Sequence, residues 1–457
     1  MNDDTIAQSV LFPELVARPL VATFDHAHAS SDGGAVLLRA ADQRLQLTAR
    51  LARCLTDARD PGRVTHALHD LVAQRVFGIA CGYPDANDGD RLADDPIQKL
   101  LLDRHPVHGQ ALASQPTVSR FENGAGPRAL YAMGRELAAG VIERHRRRLR
   151  GRARRVTIDL DVTDDPTHGA QQLTFFHGHY DTWCYLPLLA FLTFDDEADQ
   201  YLCAAVLRPG NAATATGADS LLKRLIPLLR HAFPGVRLRV RLDGGFADPT
   251  LLDDLDTLRV EYVVAMAENA VLTRHAEPLM PDVRAQVAAT GATAHVYGET
   301  RYAAGSWSTE RRIVIKAEVV ALAGRNPRDN ARFVITNLRQ TPRWIYERVY
   351  CQRGEIENRI KELHHGLEID RTSCSRFWAN QLRVLLTAAA YVLMQELRLH
   401  AARTAYARAQ VTTLRDRLLK IGARVVASAR RFVLHLPRAF PDIRAWQTIA
   451  RRLGAAT

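Results

Sequence analysis

The stretch RVTIDLDVT, Arg155 to Thr163, decides the fold. Val156, Ile158, Leu160 and Val162 alternate with Thr157, Asp159, Asp161 and Thr163, the period-two pattern of a strand with one apolar face. The other face carries two carboxylates. VRLRVRLDGGF, Val236 to Phe246, repeats the device and delivers Asp243 at the end of its alternation, just before Gly244 and Gly245. The end of a buried strand borders the crevice where open sheets place their chemistry. An Asp-Gly pair alone is also an ordinary turn signal. A third acid gives the two aspartates more weight. In YCQRGEIENRIKELHH, Tyr350, Arg353 and Glu357 fall at i, i+3 and i+7 of a predicted helix, and the glutamate could share a metal with the strand-borne aspartates.

The surrounding elements read coarsely from their periods. After the first strand come apolar runs at Tyr185 to Phe194 and Tyr201 to Leu207, joined to each other through the acidic turn DDEAD, as in a meander. Leucines at helical spacing predict a helix over Ala218 to Ala232. The Asp243 strand, a short helix around Pro249 to Leu258 and a strand from Val260 come next. This order resembles a ribonuclease H-like α/β core. With it in place, IDLDVTDDPTHG, CYLPLLAF, RPGN, RLDGGFAD and RGEIENRIKEL together resemble the DDE transposases of bacterial insertion sequences. The branch it most resembles is marked by Tyr, two residues, Arg, three residues, Glu, six residues, Lys. The likeness runs from SSDGGAVLLRAAD near the start through CGYPDANDGDRLADDP and LASQPTVSRFENG.

Residue by residue, the resemblance implies catalytic and metal-binding roles for Asp161, Asp243 and Glu357, with Asp159 as the alternative first acid. It implies DNA-backbone contacts for Tyr350 and Arg353. The final position of the signature departs from it: His364 stands where Lys is expected, so the phosphate contact passes to Lys361 or to His364 itself. Lys361 also has an ordinary reading as a surface i, i+4 partner of Glu357. An all-carboxylate set suits Mg²⁺, with Mn²⁺ as the substitute, because hard cations prefer oxygen ligands. Two such ions about 4 Å apart can clamp the attacking and leaving oxygens of a phosphoryl displacement. The resemblance therefore implies cut-and-paste movement: hydrolysis at the element's ends, a hairpin intermediate, then strand transfer into target DNA.

Lys and Arg outnumber Asp and Glu by 61 to 50, a formal charge of +11 that attracts a polyanion at long range. ERHRRRLRGRARR, Glu143 to Arg155, concentrates that charge before the first catalytic strand, and Arg146, Arg147 and Arg148 are expected on phosphates. Sequence readout is expected from the mainly helical first 150 residues. There Ala113 to Gly124 resembles the start of a recognition helix, with Ser114 as N-cap and Thr117, Ser119 and Arg120 exposed. The acidic loop holding Asp85, Asp88 and Asp90 lacks the glutamate of an EF-hand and reads as structural.

The fold class expected is α/β: a ribonuclease H-like core interrupted by a β-rich insertion, with a mainly helical N-terminal DNA-binding region. The boundaries are 1–150 for the N-terminal region, 151–267 and 341–400 for the two parts of the core, 268–340 for the insertion and 401–457 for a basic C-terminal region. Within the insertion, Trp307 is a candidate for stacking on an extruded base, although an isolated Trp at a strand edge more often packs. Phe377 to Leu397 predicts a helix covering the sheet, and its nearly uncharged run falls short of the roughly 20 residues that span a bilayer. Six scattered cysteines without a C-x-x-C pair indicate neither zinc nor a disulfide framework. His168, His177 and His179 cluster without a fourth ligand at metal spacing and read as ordinary polar contacts. The start lacks the basic and apolar regions of a signal peptide, so a bacterial cytoplasm and its nucleoid are the expected setting. Expected partners are double-stranded DNA, both terminal repeats and target, and a second copy of the chain. Two rival readings share some of these residues: a ribonuclease H-like nuclease or resolvase, and a non-catalytic DNA-binding descendant of a transposase.

Overall fold

The computed structural model describes residues 10–456 apart from 13, 14, 19 and 24, and in it the two aspartate-bearing segments are neighbouring strands of one nine-stranded sheet. Arg155–Val162 and Arg237–Leu242 run parallel, with Arg241 opposite Asp159. Both strands are buried along most of their length, as strands inside an open sheet must be. On one side Leu188–Phe194 and then Tyr201–Val206 add antiparallel. On the other, Glu261–Met266 adds parallel. The helix Ala218–Ala232 and the helix Pro249–Thr257 fall where their leucine spacing predicts them. The chain is a mixed α/β protein with the element order read from its sequence.

Two features differ from the sequence reading. Thr182–Tyr185 does not continue into Leu188–Phe194, because Pro187 has no N–H to give a ladder. It instead joins Asp165–Pro166 and Phe175–His177 in a separate three-stranded sheet. The strands of the 268–340 segment also form no sheet of their own. Arg332–Thr336 pairs antiparallel with Glu261–Met266, and Arg311–Val320 and Ala294–Tyr302 follow outward. The insertion thus extends the core sheet, whose Glu261–Met266 edge would otherwise offer unpaired backbone groups.

The opposite edge is closed by side chains. Phe377–His400 has an apolar middle and is buried along nearly its whole length, with polar side chains such as Asn380, Gln381, Gln395 and Glu396 also buried. Gln381 accepts from the N–H of Leu207, and Gln395 accepts from Leu202 and donates to the Gln200 carbonyl, so the helix satisfies the edge of Tyr201–Val206. Leu68–Ala80 and Pro127–Arg148 pack on this same helix, and one continuous core runs from Ala35 to Leu453. The helical N-terminal region therefore shares its core with the nine-stranded sheet. Gly34 marks one close approach: a Cβ there would meet the Leu418 carbonyl oxygen at 1.8 Å. Phe432–His435 pairs with Ala423–Ala427, which pairs in turn with Ala29–Ser30, so the two ends of the chain are stitched together.

Candidate active site

Asp159 and Asp161 share one face of a strand, yet their surroundings differ completely. Asp159 is fully buried and takes both nitrogens of a two-pronged Arg241 contact at 2.7 Å, with Gln200 donating at 3.0 Å. Arg241 also donates to the Val349 carbonyl, so this pair locks the sheet to the helix that follows Val349. Asp161, one pleat further, reaches the strand end. The parallel register puts Asp243 beside it, and Asp243 accepts from the Gly245 N–H to start a tight turn. A Cβ on Gly245 would come within 2.7 Å of Thr214, which accounts for the glycine.

One guanidinium joins the two aspartates. Arg353 Nη2 lies 2.9 Å from Asp161 Oδ2 and 3.5 Å from Asp243 Oδ2. Burial pushes the Asp161 carboxyl up to about 6; Arg353 opposes that shift, while the charges of Asp243 and Glu357 add to it. Glu357 is exposed, one helical turn beyond Arg353. The helix carrying them is irregular, with a π-helical turn at Ile345–Tyr350, a tighter turn at Cys351–Gly354, the α-helix Glu355–Lys361 and a second π-helical turn at Glu362–Gly366. Such departures from the α ladder are frequent at functional sites. The even i, i+3, i+7 face of the sequence reading is therefore distributed over three local geometries. Tyr350 is half-buried with its ring 5.4 Å from that of Tyr346.

His364 does not project outward. Its Nε2 meets the Thr163 hydroxyl at 2.8 Å and its Nδ1 lies 3.1 Å from Asp370, so it ties the second π-helical turn to the end of the Asp161 strand. Lys361 is exposed, and Arg359 carries the ion pair of this turn, to Glu362 at 2.9 Å. Among the described residues no group of three or more His, Cys, Asp or Glu side chains is gathered closely enough to hold a metal ion. Two carboxylate oxygens aimed at one cationic nitrogen are nevertheless the donor chemistry that a hard divalent cation takes. Asp161 and Asp243 supply carboxylate oxygens of that kind, at present turned to Arg353.

The arginine run divides by partner. Arg148 makes a two-pronged contact with Glu197 at 2.7 and 2.8 Å, and Arg144 holds the buried Glu396 at 2.7 Å. Both are structural. Arg146 and Arg147 are exposed and lean only on Glu143. In the helix Gln115–Gly124, Arg120 is exposed and Thr117 and Ser119 are half-buried. Ser114 sits at the N-cap, but its hydroxyl makes no capping bond. Asp90 instead accepts from the Gln115 N–H at 2.8 Å, and Asp85 holds Arg371 at 2.9 Å, so this acidic loop is engaged in structure. Trp307 packs edge-on against Tyr302 and under the Arg311 guanidinium. Asp165, passed over in the sequence, is buried against the Thr372 hydroxyl, and burial pushes its carboxyl well above the usual range. Tyr180 was also passed over. It lies close enough to feel Asp164, Asp161 and Asp243, which add to the effect of burial in raising its hydroxyl. No local pattern announces either residue, because both depend on the hairpin that follows Thr163.

A family model described as Transposase DDE domain group 1 matches residues 12–457. No curated protein matches the chain. Among solved structures, a cryo-EM structure of a piggyBac transposase synaptic complex with hairpin DNA is similar at 9% identity and a TM-score of 0.41, covering 93% of this chain and 82% of that one. Among the described residues no helix is long and apolar enough to cross a membrane.

Proposed function

The chain belongs to the DDE transposase family, and from that premise we propose that Asp161, Asp243 and Glu357 form the acid set that cleaves the ends of an insertion sequence and joins them to target DNA. The observation that carries this reading is the convergence of Asp161 and Asp243, on adjacent parallel strands, upon one Arg353 nitrogen one turn before Glu357. The core is ribonuclease H-like, and the chain belongs to the bacterial insertion-sequence branch with the Tyr, Arg, Glu signature. The residues would hold Mg²⁺, or Mn²⁺, in two-ion catalysis. When bound, the metal supplies Lewis-acid stabilisation of charge developing at the scissile phosphate.

The chain's own groups do the rest. Asp161 and Asp243 would hold the metal in place of their contact with Arg353, whose guanidinium fork is suited to a phosphate oxygen. Tyr350 lines the same approach. Through Thr163 and Asp370, His364 fixes the angle of the Glu357 helix, and Lys361 remains outside for the DNA backbone. Arg146 and Arg147 add affinity without reading sequence, and Thr117, Ser119 and Arg120 face the terminal repeat. Because each end of the element needs its own acid set, two copies act in a cut-and-paste complex.

The test is cleavage of DNA bearing the flanking element's ends in Mg²⁺ by the wild type and by Asp161→Asn, Asp243→Asn and Glu357→Gln. Cleavage and strand transfer lost in all three, with end binding retained, supports the proposal. A wild type that binds ends and never cuts them under any divalent metal supports a DNA-binding regulator instead.

A further inference from the structure

The motif RPGN, Arg208 to Asn211, places a guanidinium inside the protein. Arg208 is 4% exposed, and among the described residues no carboxylate pairs with it. Its hydrogen bonds go to backbone carbonyls alone: Nε donates to Leu186 at 2.8 Å, and Nη1 meets Ala213, Thr214 and Thr216 at 3.2, 2.9 and 2.8 Å. Nη2 has no partner. Burial holds the guanidinium down to about 10, with Tyr180 opposing the shift. A buried cation without an anion is costly. What the fork supplies in return is reach, since its planar nitrogens hold two chain segments at a fixed separation.

Each of the two segments leads to one of the acids. Leu186 returns its own N–H to the Arg208 carbonyl at 3.1 Å, and the next residue, Pro187, accepts from the N–H of Thr163 at 3.2 Å. Leu188 then pairs with Val162, so this segment lies along the end of the Asp161 strand. On the other side, the loop 213–216 backs the Asp243 turn. The Thr214 side chain stands 2.7 Å from where a Gly245 Cβ would be, and the Gly245 N–H is the one that Asp243 accepts. The rest of the motif fixes the corner: Gly210 donates to the Leu173 carbonyl at 3.2 Å, and a Cβ there would lie 2.1 Å from the Cys184 carbonyl oxygen. Resting on the reading of Asp161 and Asp243 as the reacting acids, we infer that Arg208 is a positioning residue. It sets the separation of Asp161 and Asp243 through Leu186 and Pro187 on one side and Thr214 on the other. A misplacement of about 1 Å at such a pair costs about a hundredfold in rate.

The experiment combines hydrogen exchange of the full chain in metal-free buffer with cleavage of DNA bearing the element's ends in Mg²⁺. Arg208→Lys keeps the charge and loses the fork. It should speed exchange about tenfold or more in the segment 243–248, where the amides of Gly245, Phe246 and Ala247 close the Asp243 turn, and leave the helix Leu68–Ala80 unchanged. Its maximal cleavage rate should fall by about tenfold to a hundredfold at an unchanged half-saturating DNA concentration. Thr214→Gly leaves the Arg208 clamp intact and should reproduce both effects. Adding Gly245→Ala to it returns a methyl group to the vacated space and should restore wild-type exchange. Unchanged exchange at 243–248 in Arg208→Lys and in Thr214→Gly overturns the inference. So does faster exchange in both segments together, which would make Arg208 a support of the whole fold. Should Arg208→Lys fail to fold, the Thr214 and Gly245 variants decide alone. A wild type that cuts no DNA refutes the DNA-cleaving reading, and the exchange comparison still decides the inference.

Discussion

Asp159 and Asp161 lie two residues apart on one strand face, and their replacement should have opposite effects on stability. Asp159→Ala leaves the Arg241 guanidinium, 4% exposed, without its carboxylate. Removing one partner of a buried pair costs about 3–5 kcal/mol. That should lower the melting temperature by roughly 5 °C or more. Asp161 is the reverse case. Its folded value of about 6 lies above the ordinary carboxyl value of 3.8, with burial as the largest cause, so its ionised form is the one the fold disfavours. At 1.36 kcal/mol per unit the penalty reaches up to about 3 kcal/mol once the carboxyl is ionised in both states. Between about pH 4 and pH 6 the folded state binds the extra proton at Asp161, so the contribution of this carboxyl to stability falls as pH rises through that window and is constant above it, a slope that Asp161→Asn removes. In metal-free buffer at pH 8, Asp161→Asn should therefore melt at or above the wild type. Scanning calorimetry of both variants, with EDTA, distinguishes them. A stable Asp159→Ala beside a strongly destabilised Asp161→Asn would refute the assignment of structural and reactive acids.

Three further outcomes follow from the same packing. Glu362 accepts from Tyr391 at 2.6 Å and pairs with the buried Arg398, so Glu362→Ala should cost about 3–5 kcal/mol in denaturant titration, and an unchanged midpoint would contradict the network. His145 is stacked between Phe194 and Tyr201, and burial, then Arg148 and Arg144, hold it well below its ordinary value. The contribution of His145 to stability should therefore be lost as pH falls below about 6.5, at about 1.4 kcal/mol per unit, and the difference between wild type and His145→Phe should carry that slope. Arg146→Ala with Arg147→Ala should reduce the salt slope of DNA binding by about 2, whereas Arg148→Ala, which breaks the Glu197 clamp, should lower thermal stability and leave the slope alone.

Much of this was legible in the sequence because alternation and leucine spacing report which face is buried. The helix Ala218–Ala232 and the strand ends carrying Asp161 and Asp243 follow from those periods alone. The choice between Asp159 and Asp161 did not, since it depends on Arg241, which becomes a neighbour only through parallel pairing. The division of the arginine run was hidden for the same reason. Arg144 and Arg148 look like their neighbours until Glu396 and Glu197 fold against them. The π-helical turns around Arg353 leave no trace in spacing. His364, which reads as a substitute for a phosphate-binding lysine, is instead held between Thr163 and Asp370.

Whether Asp161 binds the metal is tested by replacing it with cysteine and assaying end cleavage in Mg²⁺ and in Mn²⁺. A thiolate is a poor ligand for the hard ion and a better one for the softer. If Asp161 is a metal ligand, Asp161→Cys is inactive in Mg²⁺ and regains cleavage in Mn²⁺, while Asp161→Ala is inactive in both. Cleavage by Asp161→Cys or Asp161→Ala in Mg²⁺ at the wild-type rate would contradict a metal-binding role for this carboxylate.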